Sequence, residues 1–177
     1  MSLLRRLGFV PVHSPREEVD LLGAIEARLA NVEPRRAELV AAFGGLLAQV
    51  AHVDGEISGA EVARMEDLLA AHGGLAVEEA RIVATIARQE TLRGTESYLL
   101  TRRFNEIGSD VDKLRLIDCL YAVASADDLV AYVEDVEVRK IAEALLVPWS
   151  EVLKIRAPYR EKLEELRRLA DVRERKA

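Results

Sequence analysis

The chain has 177 residues, of which 50% are hydrophobic and 32% are charged, and its formal net charge is −6 at pH 7. This length and composition are typical of one globular domain with a sizeable core. The acidic balance and an aromatic content of only 5% disfavour nucleic acid as a partner, because phosphate binding requires a basic face and base stacking requires aromatic rings.

Helix signals follow one another along the whole chain, and no strand is predicted. After an N-terminal segment over residues 1–14, Ser14 as N-cap, Pro15 at the first helical position and Glu17 three residues after the cap predict a helix start. Ser58 and Glu61 repeat the capping-box pattern. Apolar spacing and helix breakers predict helices over about 15–31, 34–53, 58–72, 77–90, 95–106, 110–126, 132–145 and 150–157.

A charged C-terminal helix is predicted over residues 158–177, after the break at Pro158. Its apolar stripe is narrow, which favours a solvated end over a partner-binding helix; the stripe consists of Leu163, Leu166 and Leu169. The main helical domain is accordingly predicted over 15–157.

A shift of 73 residues aligns the two halves of the chain. Apolar positions then match apolar positions, as in Phe43 with Leu116 and Met65 with Val138. Each unit, at about 36–75 and 109–148, reads as helix, tight turn, helix with an apolar stripe that one unit cannot bury. We therefore predict an all-α fold, a single helical bundle whose two repeated units pack around a shared core.

The two turns carry acids at matching positions, because Asp54 aligns with Asp127 and Glu61 with Glu134. In each unit the aspartate ends one helix and the glutamate opens the next, so both carboxylates can face one small space. A hard cation prefers such oxygen ligands. Neither turn has the acid spacing of an EF-hand loop.

A second interpretation of the acids needs no ligand. Ser58 and Glu61 can cap each other's backbone amides, and Asp54 before glycine is a common turn pair. In the second unit Ala131 replaces Ser58, so the reciprocal cap is lost while Glu134 remains, which weakens this interpretation there. Turn-and-cap structure is the favoured interpretation, and a cation site stays open beside it.

The quoted residues resemble a known family. The pattern AxxDGEISxxE, then an apolar helix, RRFNEI and VASAD…E…VRKIAEAL, is similar to the TerB-type tellurite-resistance domain in its stand-alone bacterial form, over residues 39–156. A related domain precedes the J-domain in some membrane co-chaperones. The resemblance implies a bundle of about seven to nine helices with an internal two-fold repeat, an acidic metal-binding surface, and a stress or tellurite response beside membrane partners.

Carried over residue by residue, the resemblance implies metal ligands in both turns. They are Asp54, Glu56 and Glu61 in the first turn, and Asp127 and Glu134 in the second. The second turn lacks the glycine of the family pattern and has Leu129 where a polar residue is usual, so the first turn is the better candidate. Candidate ions are Ca²⁺, Mg²⁺, Mn²⁺ and Zn²⁺.

Catalysis is not expected, because the sequence has no phosphate loop, dinucleotide fingerprint or zinc-ligand spacing. His52 lies two residues before Asp54, about 200° away around a helix, and is a poor co-ligand. His72 at a helix end suits the helix dipole, and Cys119 in an apolar run predicts a buried thiol. The pair Gly44-Gly45 inside a helix predicts close helix packing.

The expected function is a non-enzymatic acidic helical module with a candidate divalent metal ion, in a bacterial stress or tellurite-resistance-type response. The alternative is a purely structural protein–protein interaction scaffold whose acidic turns are helix caps. Protein partners are expected, membrane-associated ones among them, and homo-oligomerisation stays open. No apolar run approaches the ~18 residues of a membrane span. We expect a cytoplasmic protein, with residues 1–9 as a candidate peripheral contact at the inner membrane.

Overall fold

The computed structural model of the chain describes residues 3–7, 9, 16–52, 59–88, 97–127, 129–164 and 166, and for 5, 16–22, 59–61 and 127 it describes the backbone alone. Within these ranges the regular elements are helices, which confirms the all-α prediction. They are α1 Leu3–Arg6, α2 Arg16–Leu29, α3 Pro34–Ala51, α4 Gly59–His72, α5 Val77–Ala87, α6 Ser97–Ile107, α7 Asp110–Ala124, α8 Tyr132–Ala144 and α9 Trp149–Arg156, with 3-10 helices at Ser125–Asp127 and Ala157–Lys162.

Local capping signals place several helix starts where the sequence predicts them. The Ser109 hydroxyl accepts a hydrogen bond from the Asp112 backbone N–H at 3.2 Å, and the Asp112 carboxylate accepts the Ser109 N–H at 2.9 Å. Pro34 occupies the first position of α3 behind Glu33, whose carboxylate accepts two backbone N–H groups. The predicted caps Ser14 and Ser58 lie outside the described side chains.

Helix α3 lies at the centre of the bundle and contacts α5, α6, α7 and α8. Two glycines let its neighbours approach closely. A Cβ on Gly44 would lie 2.8 Å from the Ile86 Cβ on α5, and a Cβ on Gly45 would lie 2.8 Å from Leu100 Cδ1 on α6. Both distances are too short for carbon atoms in contact. The prediction of close helix packing at this pair is confirmed.

The helix boundaries follow the predicted repeat. Helices α3 and α7 end at Ala51 and Ala124, and helices α4 and α8 begin at Gly59 and Tyr132, so both boundaries recur after 73 residues. A third helix completes each unit, because α5 packs on α3 and α4 as α9 packs on α7 and α8. The units pack together through α3, α4, α7 and α8 around one core.

Helices α4 and α8 are both followed by a residue in the left-handed conformation, which is a glycine after α4 and a leucine after α8. Helix α4 is followed by Gly73-Gly74, and Gly74 adopts the left-handed conformation with φ +61°. Helix α8 is followed by Leu145-Leu146, and Leu146, which the 73-residue shift aligns with Gly73, also adopts the left-handed conformation, with φ +59°. The Leu146 N–H donates to the Glu143 carbonyl at 2.9 Å and the Val147 N–H to the Ala142 carbonyl at 3.0 Å, which is the hydrogen-bond pattern of a Schellman motif.

Both ends of the described chain are built into the core, which the sequence did not predict. The side chains of Leu4, Leu7 and Phe9 are buried, and Glu38 on α3 binds the guanidinium groups of Arg6 and Arg103. Three of the apolar residues that made 1–9 a candidate for membrane contact, Leu4, Leu7 and Phe9, therefore pack inside the bundle.

The C-terminal segment also differs from its prediction. The predicted charged α-helix begins as a 3-10 helix at Ala157–Lys162, and Leu163, expected on a solvated stripe, is 1% exposed. Residues 167–177 of the predicted helix lie outside the described residues.

Candidate functional site

The second acidic turn connects α7 to α8. Helix α7 ends at Ala124, the chain continues as a 3-10 helix to Asp127, and Val130 is fully buried before α8 begins at Tyr132. Asp127 belongs to this turn as predicted, and its side chain is among those not described. The sequence places Leu129 where the family has a polar residue, and its side chain is 40% exposed.

Glu134 caps the helix that follows this turn. Its Oε2 accepts the Ala131 backbone N–H at 2.7 Å, and the residue is only 7% exposed. Glu79 does the same for the Ala76 N–H of α5 at 2.8 Å, also behind an alanine. A glutamate at the third helical position can therefore cap without a serine, because its carboxylate needs only the backbone N–H as a donor. Ala131 makes no side-chain cap, as predicted, but the inference that its presence argues against capping by Glu134 is wrong.

The C-terminal segment covers the second turn. The Val130 N–H donates to the Lys162 carbonyl at 2.8 Å, and the Glu164 N–H donates to the Val130 carbonyl at 3.0 Å, which pairs Val130 with Leu163 as an isolated β-bridge. The Glu164 carboxylate accepts the Tyr132 N–H at 2.9 Å, and Lys162 Nζ donates to the Ser125 carbonyl at 3.2 Å. A cation of the protein itself thus lies against the turn.

The first acidic turn is less fully described. Asp54 and Glu56 lie in 53–58, outside the described residues, and Glu61 is described by its backbone alone. His52 is the C-cap residue of α3 and is 3% exposed, and its Nε2 lies 2.7 Å from the Ala87 carbonyl oxygen. The Nε2 atom of this ring is therefore bonded inside the bundle. Among the described residues, no group of three His, Cys, Asp or Glu side chains is placed to hold a metal ion.

A buried ion-pair network lies beside the second turn. Asp135, 2% exposed, accepts two hydrogen bonds from the Arg156 guanidinium at 2.9 and 2.8 Å and one from the Tyr121 hydroxyl at 2.9 Å, and Arg139 lies 3.4 Å away. Burial raises the pKa of Asp135, but the hydrogen bonds from Arg156 and Tyr121 outweigh it and hold the pKa below its ordinary value. The network joins α7, α8 and α9.

The buried groups that could act as nucleophiles are held in their protonated forms. Burial, with the charge of Asp118 in addition, raises the pKa of the Cys119 thiol. Burial also raises the pKa of the Tyr121 hydroxyl, and the neighbouring Asp135 carboxylate raises it further. A thiol reacts as its thiolate, so Cys119 is placed as a small core residue, as predicted.

A second polar cluster joins the two units. His72, the last residue of α4, lies with its Nδ1 2.8 Å from the Asp118 carboxylate on α7. The Tyr159 hydroxyl donates to the same carboxylate at 2.9 Å, and the Tyr159 ring stacks on Tyr121 with centroids 5.7 Å apart. His72 therefore stands at a helix end as predicted, with a partner that the sequence did not indicate.

These observations define a class of protein: an all-α bundle of two related helical units, with an acidic turn in each unit. The family model described as tellurite resistance protein TerB matches residues 38–157. The chain belongs to the TerB family. Searches among curated proteins and among solved structures gave no significant match. No helix within the described ranges has the length and apolar character that crossing a bilayer requires.

Proposed function

We propose that this chain is a non-enzymatic binding module of a tellurite-resistance-type stress response, acting in the cytoplasm through contacts with proteins. The observation that carries the proposal is the position of Glu134. This carboxylate, one of the five candidate ligands, caps α8 and is buried by the fold. The neighbouring acid Asp135 is engaged by Arg156 and Tyr121. Glu134 and Asp135 are thus engaged in the fold, which supports a role for the second unit other than metal binding.

Two substitutions at Glu134 separate capping from metal binding. Glu134→Ala removes the acceptor of the Ala131 N–H and is expected to lower the free energy of unfolding by about 1 kcal/mol in metal-free buffer. Glu134→Gln keeps an oxygen acceptor while removing the charge, so its stability should stay within about 0.5 kcal/mol of the unchanged protein. Urea unfolding of the three proteins in chelator measures both values.

Metal-dependent stability at Glu134 would contradict the capping interpretation. If Glu134→Gln and Glu134→Ala are equally stable in chelator, and both abolish a stabilisation that a divalent metal gives the unchanged protein, Glu134 acts as a ligand. The proposal that the second turn is structural would then be wrong.

A cation site confined to the first turn is the second candidate function. It is favoured by three carboxylates within eight residues, Asp54, Glu56 and Glu61, around a glycine. An all-carboxylate set fits the hard ions Ca²⁺, Mg²⁺ and Mn²⁺. It fits Zn²⁺ less well, because zinc favours nitrogen and sulfur ligands and none of these three side chains supplies either.

Thermal unfolding in the presence of each ion tests the first-turn site. A ligand that binds only the folded state raises its stability by ~2.7 kcal/mol at a hundred times the dissociation constant. The variant Asp54→Asn with Glu61→Gln should lose this rise while keeping the metal-free melting temperature. Asp127→Asn is the matched control, because it alters the equivalent position of the second turn. If metal raises the melting temperature of the unchanged chain and of both variants equally, the first-turn site is excluded.

A further inference from the structure

The first residues of the chain are held on the bundle by their side chains. We call the described residues 3–7 and 9 the plug; the side chains of Leu4, Leu7 and Phe9 are buried. Within the described ranges, no hydrogen bond joins the plug backbone to another backbone segment, because the N–H groups of Leu7 and Phe9 donate to the Leu4 carbonyl at 3.1 and 3.0 Å. The C-terminal segment differs, since it pairs with Val130 through two backbone hydrogen bonds. The plug is therefore docked in the way that a bound peptide is.

The groove under the plug supplies two carboxylates. Glu26 on α2 accepts the Leu4 backbone N–H at 3.2 Å, at the start of the single helical turn α1. Glu38 on α3 accepts a hydrogen bond from the Arg6 guanidinium. The groove therefore matches a helical turn that presents a free N–H at its start and a basic side chain. Apolar anchors on one face of a helix are the usual complement of such a groove.

The plug fills only part of the groove. Gly45 on α3 makes room for the Phe9 ring, because a Cβ on this glycine would lie 2.9 Å from Phe9 Cζ. A cavity of about 330 Å³ separates Arg6 and Leu7 from the side chains of α6. An occupant with larger side chains towards α6 would bury more apolar surface than the plug does.

Release of the plug leaves no unpaired charge in the groove. The Glu38 side chain is 9% exposed, and it also accepts hydrogen bonds from the Arg103 guanidinium on α6, one of them at 2.6 Å. Arg6, whose side chain is 54% exposed, returns to water when the plug leaves. Loss of one partner is costly in a buried ion pair because the other charge stays unpaired, and here Arg103 remains with Glu38. Opening the groove therefore exposes mainly apolar surface, which a new occupant covers again.

We propose that this groove binds a segment of a partner protein and that the plug is its autoinhibitory occupant. The partner segment has the pattern of residues 4–9, Leu-x-Arg-Leu-x-Phe, with its arginine at Glu38 and its first N–H at Glu26. This assignment rests on the proposed function, since it names the chemistry of a partner for that binding module. The plug is tethered and so has a high effective concentration, which a partner overcomes by filling the cavity beside α6.

Amide hydrogen exchange of the full, unchanged chain tests whether the plug opens on its own. The N–H groups of Leu7 and Phe9 should have protection factors at least ~100-fold smaller than that of Val130, because a plug held by side chains opens without the rest of the bundle. Equal protection of the three amides makes the plug an integral part of the fold and overturns the inference.

Fluorescence anisotropy with a labelled peptide of residues 1–10 tests the groove. The dissociation constant should be at least ~10-fold lower for the full chain carrying Leu4→Ala and Phe9→Ala than for the unchanged chain, because the weakened plug competes less. The chain variant Arg6→Glu should act in the same direction, since it places a carboxylate beside Glu38 while keeping every apolar anchor, and it controls for loss of folding in the double variant. Thermal unfolding confirms that each variant is folded.

Two controls make the result specific. Arg81→Glu reverses a 48% exposed basic side chain that pairs with Glu78 on α5, outside the groove, and should leave the affinity for the peptide unchanged. A peptide carrying Arg6→Glu should bind at least ~10-fold more weakly, because its carboxylate meets Glu38. Absence of peptide binding to all the chains, or equal binding of the two peptides, overturns the inference. Neither outcome alters the test at Glu134, so the two proposals fail separately.

Discussion

Replacing Asp135 with alanine is expected to lower the free energy of unfolding by about 3–5 kcal/mol. The substitution leaves the Arg156 guanidinium, whose side chain is 14% exposed, without its bidentate partner and removes the acceptor of the Tyr121 hydroxyl. Removing one partner of a buried ion pair costs more than the intact pair contributes. Urea unfolding at pH 7 measures the loss. Because small domains are stable by only about 5–15 kcal/mol, the variant should be close to unfolding at physiological temperature.

The control is Glu151→Ala on α9, which breaks an exposed ion pair with Lys154. Exposed pairs contribute about 0–1 kcal/mol, so this variant should be nearly as stable as the unchanged chain. If both variants lose the same free energy of unfolding, burial does not increase the contribution of the Asp135 ion pair to stability.

The ion pair between Asp135 and Arg156 predicts that the stability of the chain depends on pH. The pKa of Asp135 is lowered in the folded state, so its stabilisation is fully present above the unfolded-state value of about 3.9 and is lost as the pH falls through the folded-state value. The difference in stability between the unchanged chain and Asp135→Ala should therefore narrow below about pH 4. A difference that stays constant from pH 7 to pH 3 contradicts the role of the ionised carboxylate.

Gly44→Ala is expected to lower the free energy of unfolding by about 1–3 kcal/mol. The new Cβ would lie 2.8 Å from the Ile86 Cβ, which is fixed to the α5 backbone, so the two helices must move apart. Gly45→Ala should cost less, because its nearest atoms are the ends of the Leu100 and Phe9 side chains, which can rotate. Thermal and urea unfolding measure both variants.

Gly23→Ala is the matched control for this series. Gly23 lies inside α2 and is exposed, and a Cβ there meets nothing within 4 Å. Alanine is favoured over glycine inside a helix, so this variant should gain about 0.5–1 kcal/mol. A gain at Gly44 as well would mean that the α3–α5 contact is looser than the structure shows.

Local sequence signals were sufficient to predict most helices and the repeat. Helix caps and apolar spacing act within one or two turns, so the Ser109 cap and the boundaries around each acidic turn follow from nearby residues. The ends of α3 and α7, at Ala51 and Ala124, are related by the same 73-residue shift that aligns the two halves of the sequence.

Contacts between distant residues were not predictable in this way. Asp135 and Arg156 are 21 residues apart, and no local pattern marks them as partners. The burial of Phe9 and Leu163 likewise depends on the assembled bundle. The Glu134 cap was underestimated because the pattern was judged by the serine it lacks, although the backbone N–H of any residue is an adequate donor.

The C-terminal segment that covers the second turn extends the packed core beyond the region that matches the family. The family match stops at residue 157, yet Leu163 fills the core and the Val130 backbone finds both of its partners beyond that point. Trimming to the shared region would leave a cavity where Leu163 packs, leave the Val130 N–H and C=O without these partners, and also remove Leu4 and Phe9. In this chain, residues on both sides of the region shared with the family complete the hydrophobic core.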